Sequence, residues 1–92
     1  MNNTEFTFTV EHRSEECLGR AGVISTRRGQ IKTPIFMPVG TAGTVKTLCP
    51  EEIRATGSSI ILANTYHLML RPGTNVLDHF GGLHNMMGWD RP

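Results

Sequence analysis

Neither sign of charge is in clear excess in this chain, because nine Lys and Arg side chains stand against eight Asp and Glu and the formal net charge is +1. The strong basic field that marks autonomous nucleic-acid binders is therefore absent. Aromatic residues are also few, with one Trp, one Tyr and four Phe, which argues against a stacking platform for single-stranded RNA. Any contact with RNA must be local.

Cysteine is scarce as well. Cys17 and Cys49 lie far apart, with no CxxC motif and no neighbouring pair of histidines. This spacing predicts neither a disulfide framework nor a zinc site, so we expect two reduced structural thiols.

Long apolar runs are missing too. The longest strongly apolar stretch, Ile60 to Ala63, is far shorter than the ~20 residues that span a bilayer. The N-terminus is polar and carries Glu5 where a signal peptide would have Lys or Arg. We therefore expect a soluble, cytoplasmic protein with no membrane partner.

The first part of the chain has the pattern of a small β-sheet. Phe6 to Val10 alternates apolar residues with Thr, and Ala21 to Thr26 is a second β-rich run. Arg27-Arg28-Gly29 supplies a turn, after which Ile31 to Pro34 would return as a third strand that ends at the proline. We predict a small antiparallel β-sheet over residues 1–34, which the family resemblance described below makes a β cap.

The remainder alternates predicted strands and helices. Proline at the first helical position, acids in the first turn and glycine after the end indicate a helix over Pro50 to Thr56, although its N-cap position falls on Cys49, a weaker cap than Ser or Thr. Two strands and two further helical segments are predicted, at Phe36–Val39, Ser58–Ala63, Thr74–Phe80 and Leu83–Met87. The fold class is α/β, with two β/α units over residues 35–92.

Each predicted strand runs into a loop that is rich in polar residues. Gly40 to Lys46 follows the first strand, and Asn64 to His67 follows the second. Buried parallel strands that end in functional loops are typical of the (β/α)8 TIM-type barrel. Such a barrel needs about 250 residues, so at most two of its eight units fit here, and we expect the chain to be an incomplete, N-terminal portion.

The side chains in these loops allow more than one interpretation. Asn64 can orient a carboxylate or a ribose hydroxyl, or it can merely satisfy loop backbone groups. Val39 and Leu62 would by default be core residues. A histidine such as His67 can serve as a general base, but we favour a structural role in loop hydrogen bonding.

Two further clusters give weaker signals. The loop Gly40 to Lys46 suggests a phosphate cradle but matches neither GxGxxG nor GxxxxGK[ST]. Arg27, Arg28 and Lys32 cluster at a turn where they can either contact phosphates or stay solvated.

Several motifs in order identify a family resemblance: MPVGTAGTVK at 37–46, PEEI at 50–53, IILANTYHLMLRPG at 60–73, and GGLH with MGW at 81–89. From about Arg20 to Pro92 the chain closely resembles bacterial tRNA-guanine transglycosylase. The resemblance implies a pentosyltransferase that exchanges guanine at the wobble position (34) of tRNAs with GUN anticodons for the base preQ1, a queuine precursor. It also implies a β cap at one end of a barrel, and a covalent glycosyl-enzyme intermediate in queuosine biosynthesis.

The resemblance also implies roles for individual residues. Positions matching Val39 and Leu62 form apolar walls around the target ribose, and the position matching Asn64 lies beside a catalytic aspartate. The loop Gly40 to Lys46, with Thr41 and Thr44, contributes to a homodimer interface across which the lysine matching Lys46 pairs. Against that stands a solvated Lys46 on a flexible loop.

The catalytic groups of the family have no match in this sequence. Asp78 and Asp90 are the only aspartates, and neither stands in a catalytic motif. The resemblance places the DSGG aspartate, the nucleophile and the CxCxxC…H ligands of one zinc ion beyond Pro92. We therefore expect no catalytic residue, metal site or cofactor within this chain, and an isolated 92-residue chain that is inactive and either poorly folded or self-associating.

Two alternatives remain at this stage. The chain can be a short, non-catalytic interaction module that binds a full-length transglycosylase subunit, which coprecipitation with the complete enzyme would support. An unrelated small α+β RNA-binding module ranks last, because the charge is nearly neutral and aromatic residues are few.

Overall fold

The computed structural model describes residues 6–92, which divide into two compact units. One unit contains residues 6–36 together with Arg91 and Pro92, and the other contains Met37–Asp90. The polar start of the predicted cap, including Glu5, lies outside the described residues.

The first unit is built on a three-stranded antiparallel sheet, which confirms the predicted sheet. Its strands are β1 (Thr7–Arg13), β2 (Arg20–Thr26) and β3 (Gly29–Thr33), in the spatial order β1-β2-β3. The register places Thr9 opposite Val23 and Ile24 opposite Ile31. A bulge between Val10 and His12 interrupts the pairing of β1 with β2.

Close backbone approach explains one glycine in the sheet. The Phe8 ring lies over Gly22, where an added Cβ would come within 2.6 Å of the ring and 2.7 Å of the Thr9 carbonyl oxygen. The Arg20 guanidinium stacks on the outer part of this cluster, 5.4 Å from the centre of the Phe8 ring. Together with the fully buried Ile31, this packing fixes the apolar face of the sheet.

The second unit contains four short helices, α1 (Pro50–Ala55), α2 (Thr65–Leu68), α3 (Thr74–His79) and α4 (Leu83–Met87). The predicted helices at α1, α3 and α4 are confirmed. At the start of α1 the Glu52 carboxylate accepts a 2.9 Å hydrogen bond from the Cys49 amide, which satisfies one donor that the helix leaves unpaired.

The prediction of two barrel strands was wrong. The segments Phe36–Val39 and Ser58–Ala63 do not form strands. Within the described residues, the two segments are paired only by one parallel bridge between Val39 and Leu62. Parallel strands depend on neighbours on both sides, and no further strand flanks these segments within residues 6–92. The described part of the chain therefore does not show the barrel.

The predicted loop at Asn64–His67 is also corrected, since Thr65–Leu68 forms α2 with Asn64 at its N-cap. Helical backbone then fails at Arg71, whose φ of −156° and ψ of 117° are extended. Arg71 precedes Pro72, and the proline ring disfavours helical backbone at the residue before it. The segment Met69–Gly73 is thus a kink that leads into α3.

Burial in the second unit concentrates on a few apolar side chains, namely Ile53 of α1, Leu68 of α2 and Trp89 after α4. Among the described residues, no helix has the length and apolar character needed to cross a membrane.

Candidate functional site

Two chain segments meet at the bridge between Val39 and Leu62. The Leu62 amide donates to the Pro38 carbonyl oxygen over 2.9 Å, and the Gly40 amide donates to the Leu62 carbonyl oxygen over 2.7 Å. Pro38 has no backbone N–H, but the bridge uses only its carbonyl oxygen. Proline is therefore tolerated at this position. The bridge holds the ends of the two segments side by side.

The side chains at this bridge face outward. Val39 is 54% exposed and Leu62 is 47% exposed, so neither belongs to the core of the second unit. Two apolar side chains held at this exposure form a surface on which the apolar part of a ligand can pack. The default interpretation of both residues as core residues does not hold among the described residues.

Asn64 lies two positions after Leu62 and has an extended backbone (φ −118°, ψ 115°). Its Oδ1 accepts hydrogen bonds from the amides of Tyr66 at 3.0 Å and His67 at 3.3 Å. Because both partners are donors, the oxygen must face them. The Nδ2 amide donates to no other described residue and is exposed to a ligand.

Asn64 therefore satisfies backbone groups, which is one of the two roles that the sequence allowed. Its oxygen satisfies backbone groups at the start of α2, which is the N-cap role for which Asn is favoured, while its nitrogen remains available as a donor. The order Asn-Thr-Tyr-His-Leu carried this signal, since Asn before a helical segment is a start signal.

His67 contributes mainly through its backbone. Its amide takes part in the Asn64 cap, and its ring lies edge-on to the Tyr66 ring with centroids 5.8 Å apart. Within residues 6–92 the imidazole has no hydrogen-bond partner of its own, so the expected loop hydrogen bond is made by the main chain.

The loop that follows Val39 folds back on itself and packs on α4. The Gly43 amide donates to the Gly40 carbonyl oxygen over 3.0 Å. Gly43 has a φ of +81°, and an added Cβ would lie 2.7 Å from the Met86 methyl group. Backbone conformation therefore favours glycine here, and an added Cβ would also displace the flexible Met86 methyl group.

The predicted dimer residues lie beside the predicted ribose wall. A surface depression of about 550 Å³ is lined by six residues of this loop region, Val39, Thr41, Ala42, Thr44, Val45 and Lys46. No salt bridge to Lys46 is found in the described part of the chain. Its predicted pairing across an interface thus stays a prediction.

A cluster around Arg54, which the sequence did not reveal, joins α1 to the segment after α4. The Arg54 Nη2 donates to the Gly88 carbonyl oxygen over 2.9 Å, and Nε donates to the Asp90 Oδ1 over 3.0 Å. The guanidinium also stacks 5.5 Å from the centre of the Trp89 ring, which is only 3% exposed. No local pattern links positions so far apart, so sequence reasoning had no signal for this contact.

Two titratable groups have shifted pKa values. The hydrogen bond from the Cys49 amide, with a smaller contribution from the Cys49 side chain, lowers the pKa of Glu52. Hydrogen bonds from the Ser14 side chain and the Gly19 backbone lower the pKa of the Cys17 thiol. Neither group lies at the Val39 bridge, and no Asp or Glu occurs between Ile53 and Leu77.

The surface around the bridge can therefore bind but cannot supply proton transfer by a carboxylate of its own. Across the described residues, no three His, Cys, Asp or Glu side chains group closely enough to hold a metal ion. The residues present do not fit the zinc ion that the resemblance implies, so no zinc chemistry is derived from them. Arg27, Arg28 and Lys32 lie in the other unit, exposed on the sheet.

Comparison with known proteins matches this sequence to proteins named queuine tRNA-ribosyltransferase. The chain is 60% identical over 87 residues to the queuine tRNA-ribosyltransferase of Zymomonas mobilis, which covers 95% of this chain and 22% of that protein. It is 59% identical over 85 residues to the enzyme of the same name from Cereibacter sphaeroides, covering 92% of this chain and 23% of that protein. The Herpetosiphon aurantiacus enzyme is 56% identical over 92 residues, which covers 100% of this chain and 22% of that protein.

The matched region includes both segments of the Val39–Leu62 bridge and the Asn64 cap. The chain spans less than a quarter of the length of these relatives. The family described as queuine tRNA-ribosyltransferase matches residues 15–92. This chain therefore belongs to the queuine tRNA-ribosyltransferase family.

Proposed function

We propose that this chain forms part of an enzyme that replaces guanine at the wobble position (34) of tRNAs with GUN anticodons by preQ1, a step of queuosine biosynthesis. The observation that supports it best is the exposed pair Val39 and Leu62 at the bridge of a family member, with Asn64 two positions further along the chain. An apolar pair beside an amide donor matches what a ribose and a neighbouring carboxylate require.

The proposed exchange proceeds by nucleophilic catalysis in two displacements. An aspartate carboxylate from outside these 92 residues attacks C1′ of the ribose, the glycosidic bond breaks, and guanine leaves with the bonding electron pair and a proton supplied by a second acid. The glycosyl ester then reacts with preQ1, which loses a proton as its nitrogen bonds to C1′ and the carboxylate departs.

In this mechanism the residues of this chain bind and orient. Val39 and Leu62 pack against the ribose of the nucleotide that is turned out of its stack, where a partly apolar pocket excludes water. The Nδ2 of Asn64 donates to the second carboxylate and holds it in place, while Oδ1 anchors Asn64 to α2. The N-cap thus fixes the position of the donor.

Further parts of the proposal concern the whole protein. We place these residues in the first two units of a TIM-type barrel, in a cytoplasmic homodimer whose interface includes Thr41, Thr44 and Lys46. One zinc ion is expected at residues outside this chain.

A chimeric enzyme tests the proposal directly. Residues 1–92 of this chain replace the matching segment of the Zymomonas mobilis relative, and the exchange of labelled guanine into a GUN tRNA transcript is measured. We expect the chimera to retain exchange, because 60% of the aligned residues are identical and the three pocket residues are supplied by this chain.

The isolated 92-residue chain serves as the control and should show no exchange, since it lacks a catalytic aspartate in any family motif. A chimera that is folded and dimeric but exchanges no guanine would refute the proposal. If such a chimera still captured an intact relative in coprecipitation, the interaction-module alternative would gain support.

A further inference from the structure

The tip of the β2–β3 hairpin carries adjacent exposed cations. Arg27 and Arg28 occupy the two turn positions between Thr26 and Gly29, and Lys32 follows on β3. None of these three side chains forms a salt bridge within the part of the chain that the structure describes. All three are therefore available to bind an anion.

The backbone of this tip is held in one conformation. The Thr26 Oγ1 donates to the Gly29 carbonyl oxygen over 2.8 Å and accepts from the Arg28 amide over 3.1 Å. A side chain that both donates to and accepts from the backbone of a turn limits the conformational freedom of that turn. The two arginines are thus presented from a fixed turn, so less conformational entropy is lost when they bind.

Charge is separated along the sheet. No Asp or Glu occurs between Cys17 and Pro50, whereas Glu15 and Glu16 lie in the loop that joins β1 to β2. That loop and the hairpin tip are at opposite ends of β2, roughly 20 Å apart at the usual rise per residue. This distance exceeds the Debye length of about 8 Å at physiological salt, so these acids do not neutralise the tip.

The sheet face that carries Lys32 is also rich in hydrogen-bond donors. By alternation, Lys32 and Gln30 lie on the same face as the cross-strand residues Ser25 and Thr9. Hydroxyl, amide and ammonium groups all donate to phosphate oxygens. The donors continue from the tip onto this face.

We propose that the β2–β3 hairpin binds the phosphodiester backbone of RNA, with Arg27 and Arg28 on phosphates and Lys32 on the adjoining part of the strand. The identification of that RNA as tRNA rests on the proposed function. An arginine guanidinium matches phosphate geometry with two parallel N–H donors. Such contacts position the RNA and are independent of its sequence.

RNA is favoured over a lipid surface by the chemistry of this face. The side chains that flank Lys32 are polar donors, and Val23, the apolar residue opposite Lys32, is buried. Surface-bound membrane proteins instead combine basic residues with exposed apolar side chains that enter the bilayer. The hairpin face therefore suits a hydrated polyanion.

The test measures the binding of fluorescein-labelled GUN tRNA transcript to the chimera as salt is varied. Arg27→Ala with Arg28→Ala should weaken binding about tenfold at 0.1 M salt and make the slope of log K against log salt shallower by about 1.4 to 1.8. Arg27→Lys with Arg28→Lys keeps the charges and should restore most of the affinity. Circular dichroism checks that each variant retains the sheet.

Arg13→Ala is the matched control, because it removes one exposed cation of the same sheet at the end away from the tip. It should change the slope less than Arg28→Ala does. Equal effects of the two single variants, or no effect of the double variant, would overturn the inference. So would hairpin-dependent binding to phosphatidylglycerol vesicles without hairpin-dependent binding to tRNA.

The chimera separates this inference from the proposed function. If both hold, the double alanine variant raises the KM for tRNA and leaves kcat unchanged, because the hairpin is not part of the ribose pocket. Exchange with an unchanged KM would contradict the hairpin inference alone. Hairpin-dependent RNA binding by a chimera that exchanges no guanine would contradict the proposed function alone.

Discussion

Val39 and Leu62 lie directly beside each other in a parallel bridge, with the Leu62 amide on the Pro38 carbonyl and the Leu62 carbonyl on the Gly40 amide. Residues distant in sequence are thereby fixed at one surface. Both side chains remain about half exposed, so they are available to a ligand.

The first prediction concerns this apolar pair. In the chimera, Leu62→Ala should lower kcat/KM for tRNA by roughly tenfold or more, because the methyl groups that pack on the ribose are lost. Leu70→Ala removes the same atoms from another exposed leucine of the same unit and should leave kcat/KM within about twofold. Similar losses in both variants would argue against a ribose wall at Leu62.

Asn64 allows its two roles to be separated. Asn64→Asp keeps an oxygen acceptor for the amides of Tyr66 and His67 but removes the Nδ2 donor, so stability should hold while guanine exchange falls at least tenfold. Asn64→Ala loses both groups and should also destabilise the chain by about 1 kcal/mol. Urea unfolding and steady-state exchange of the chimera are measured side by side. Full activity in the Asp variant would exclude the donor role.

The stability contributed by the Arg54 cluster should depend more on the guanidinium group than on the ion pair between Arg54 and Asp90. Arg54→Lys loses the planar stacking on Trp89 and one of the two hydrogen-bonding arms and should cost about 1 kcal/mol of unfolding free energy. Asp90→Asn should cost less than about 0.5 kcal/mol, because Asp90 is 74% exposed and exposed pairs contribute little. A larger loss for Asp90→Asn would reverse this ranking.

The lowered pKa of Glu52 predicts that stability depends on pH. Its pKa in the folded chain is lowered from 4.5 by the hydrogen bond from the Cys49 amide. The stabilisation is therefore complete above that ordinary value and is lost as pH falls through the lower, folded value. Urea midpoints of the chimera over this range should fall more steeply with Glu52 in place than in the Glu52→Gln variant. Glu51→Gln, which removes the same charge without this hydrogen bond, should keep the steeper dependence.

Gly43 tests how the loop packs on α4. Gly43→Ala places a Cβ against the Met86 methyl at a positive φ, whereas Gly57→Ala has a similar φ of +86° and open space around its Cβ. Both should destabilise the chimera through backbone strain by about 1 kcal/mol, and Gly43→Ala should cost slightly more because the Met86 side chain must move. Equal thermal midpoints for the two variants would mean that the Gly40–Lys46 loop is not packed closely against Met86.

Local patterns were sufficient for the sheet and most helices. Alternation in Phe6–Val10 and the Arg27-Arg28-Gly29 turn correctly indicated the antiparallel sheet, and Pro50 with Gly57 marked α1. These signals act over a few residues. The apolar run Ser58–Ala63 indicated a buried strand, but a strand needs partners, and the described chain offers it only the bridge at Val39.

The candidate site was predictable only in part. The family resemblance indicated Val39, Leu62 and Asn64, whereas the Val39–Leu62 bridge and the N-cap role of the Asn64 oxygen are visible only in the folded chain. The Arg54–Trp89 stacking joins segments that are far apart in sequence, and no periodicity encodes such a contact. Local sequence patterns thus predict local structure, whereas contacts between distant segments cannot be predicted from them.

The most direct measurement of the central claim is mass spectrometry of nuclease digests from a GUN tRNA transcript incubated with the chimera and preQ1. The account predicts that preQ1 replaces guanine at position 34 and that guanine at other positions is unchanged. It also predicts that Leu62→Ala slows this replacement more than Leu70→Ala does. An active, folded chimera that leaves position 34 as guanine would contradict the account.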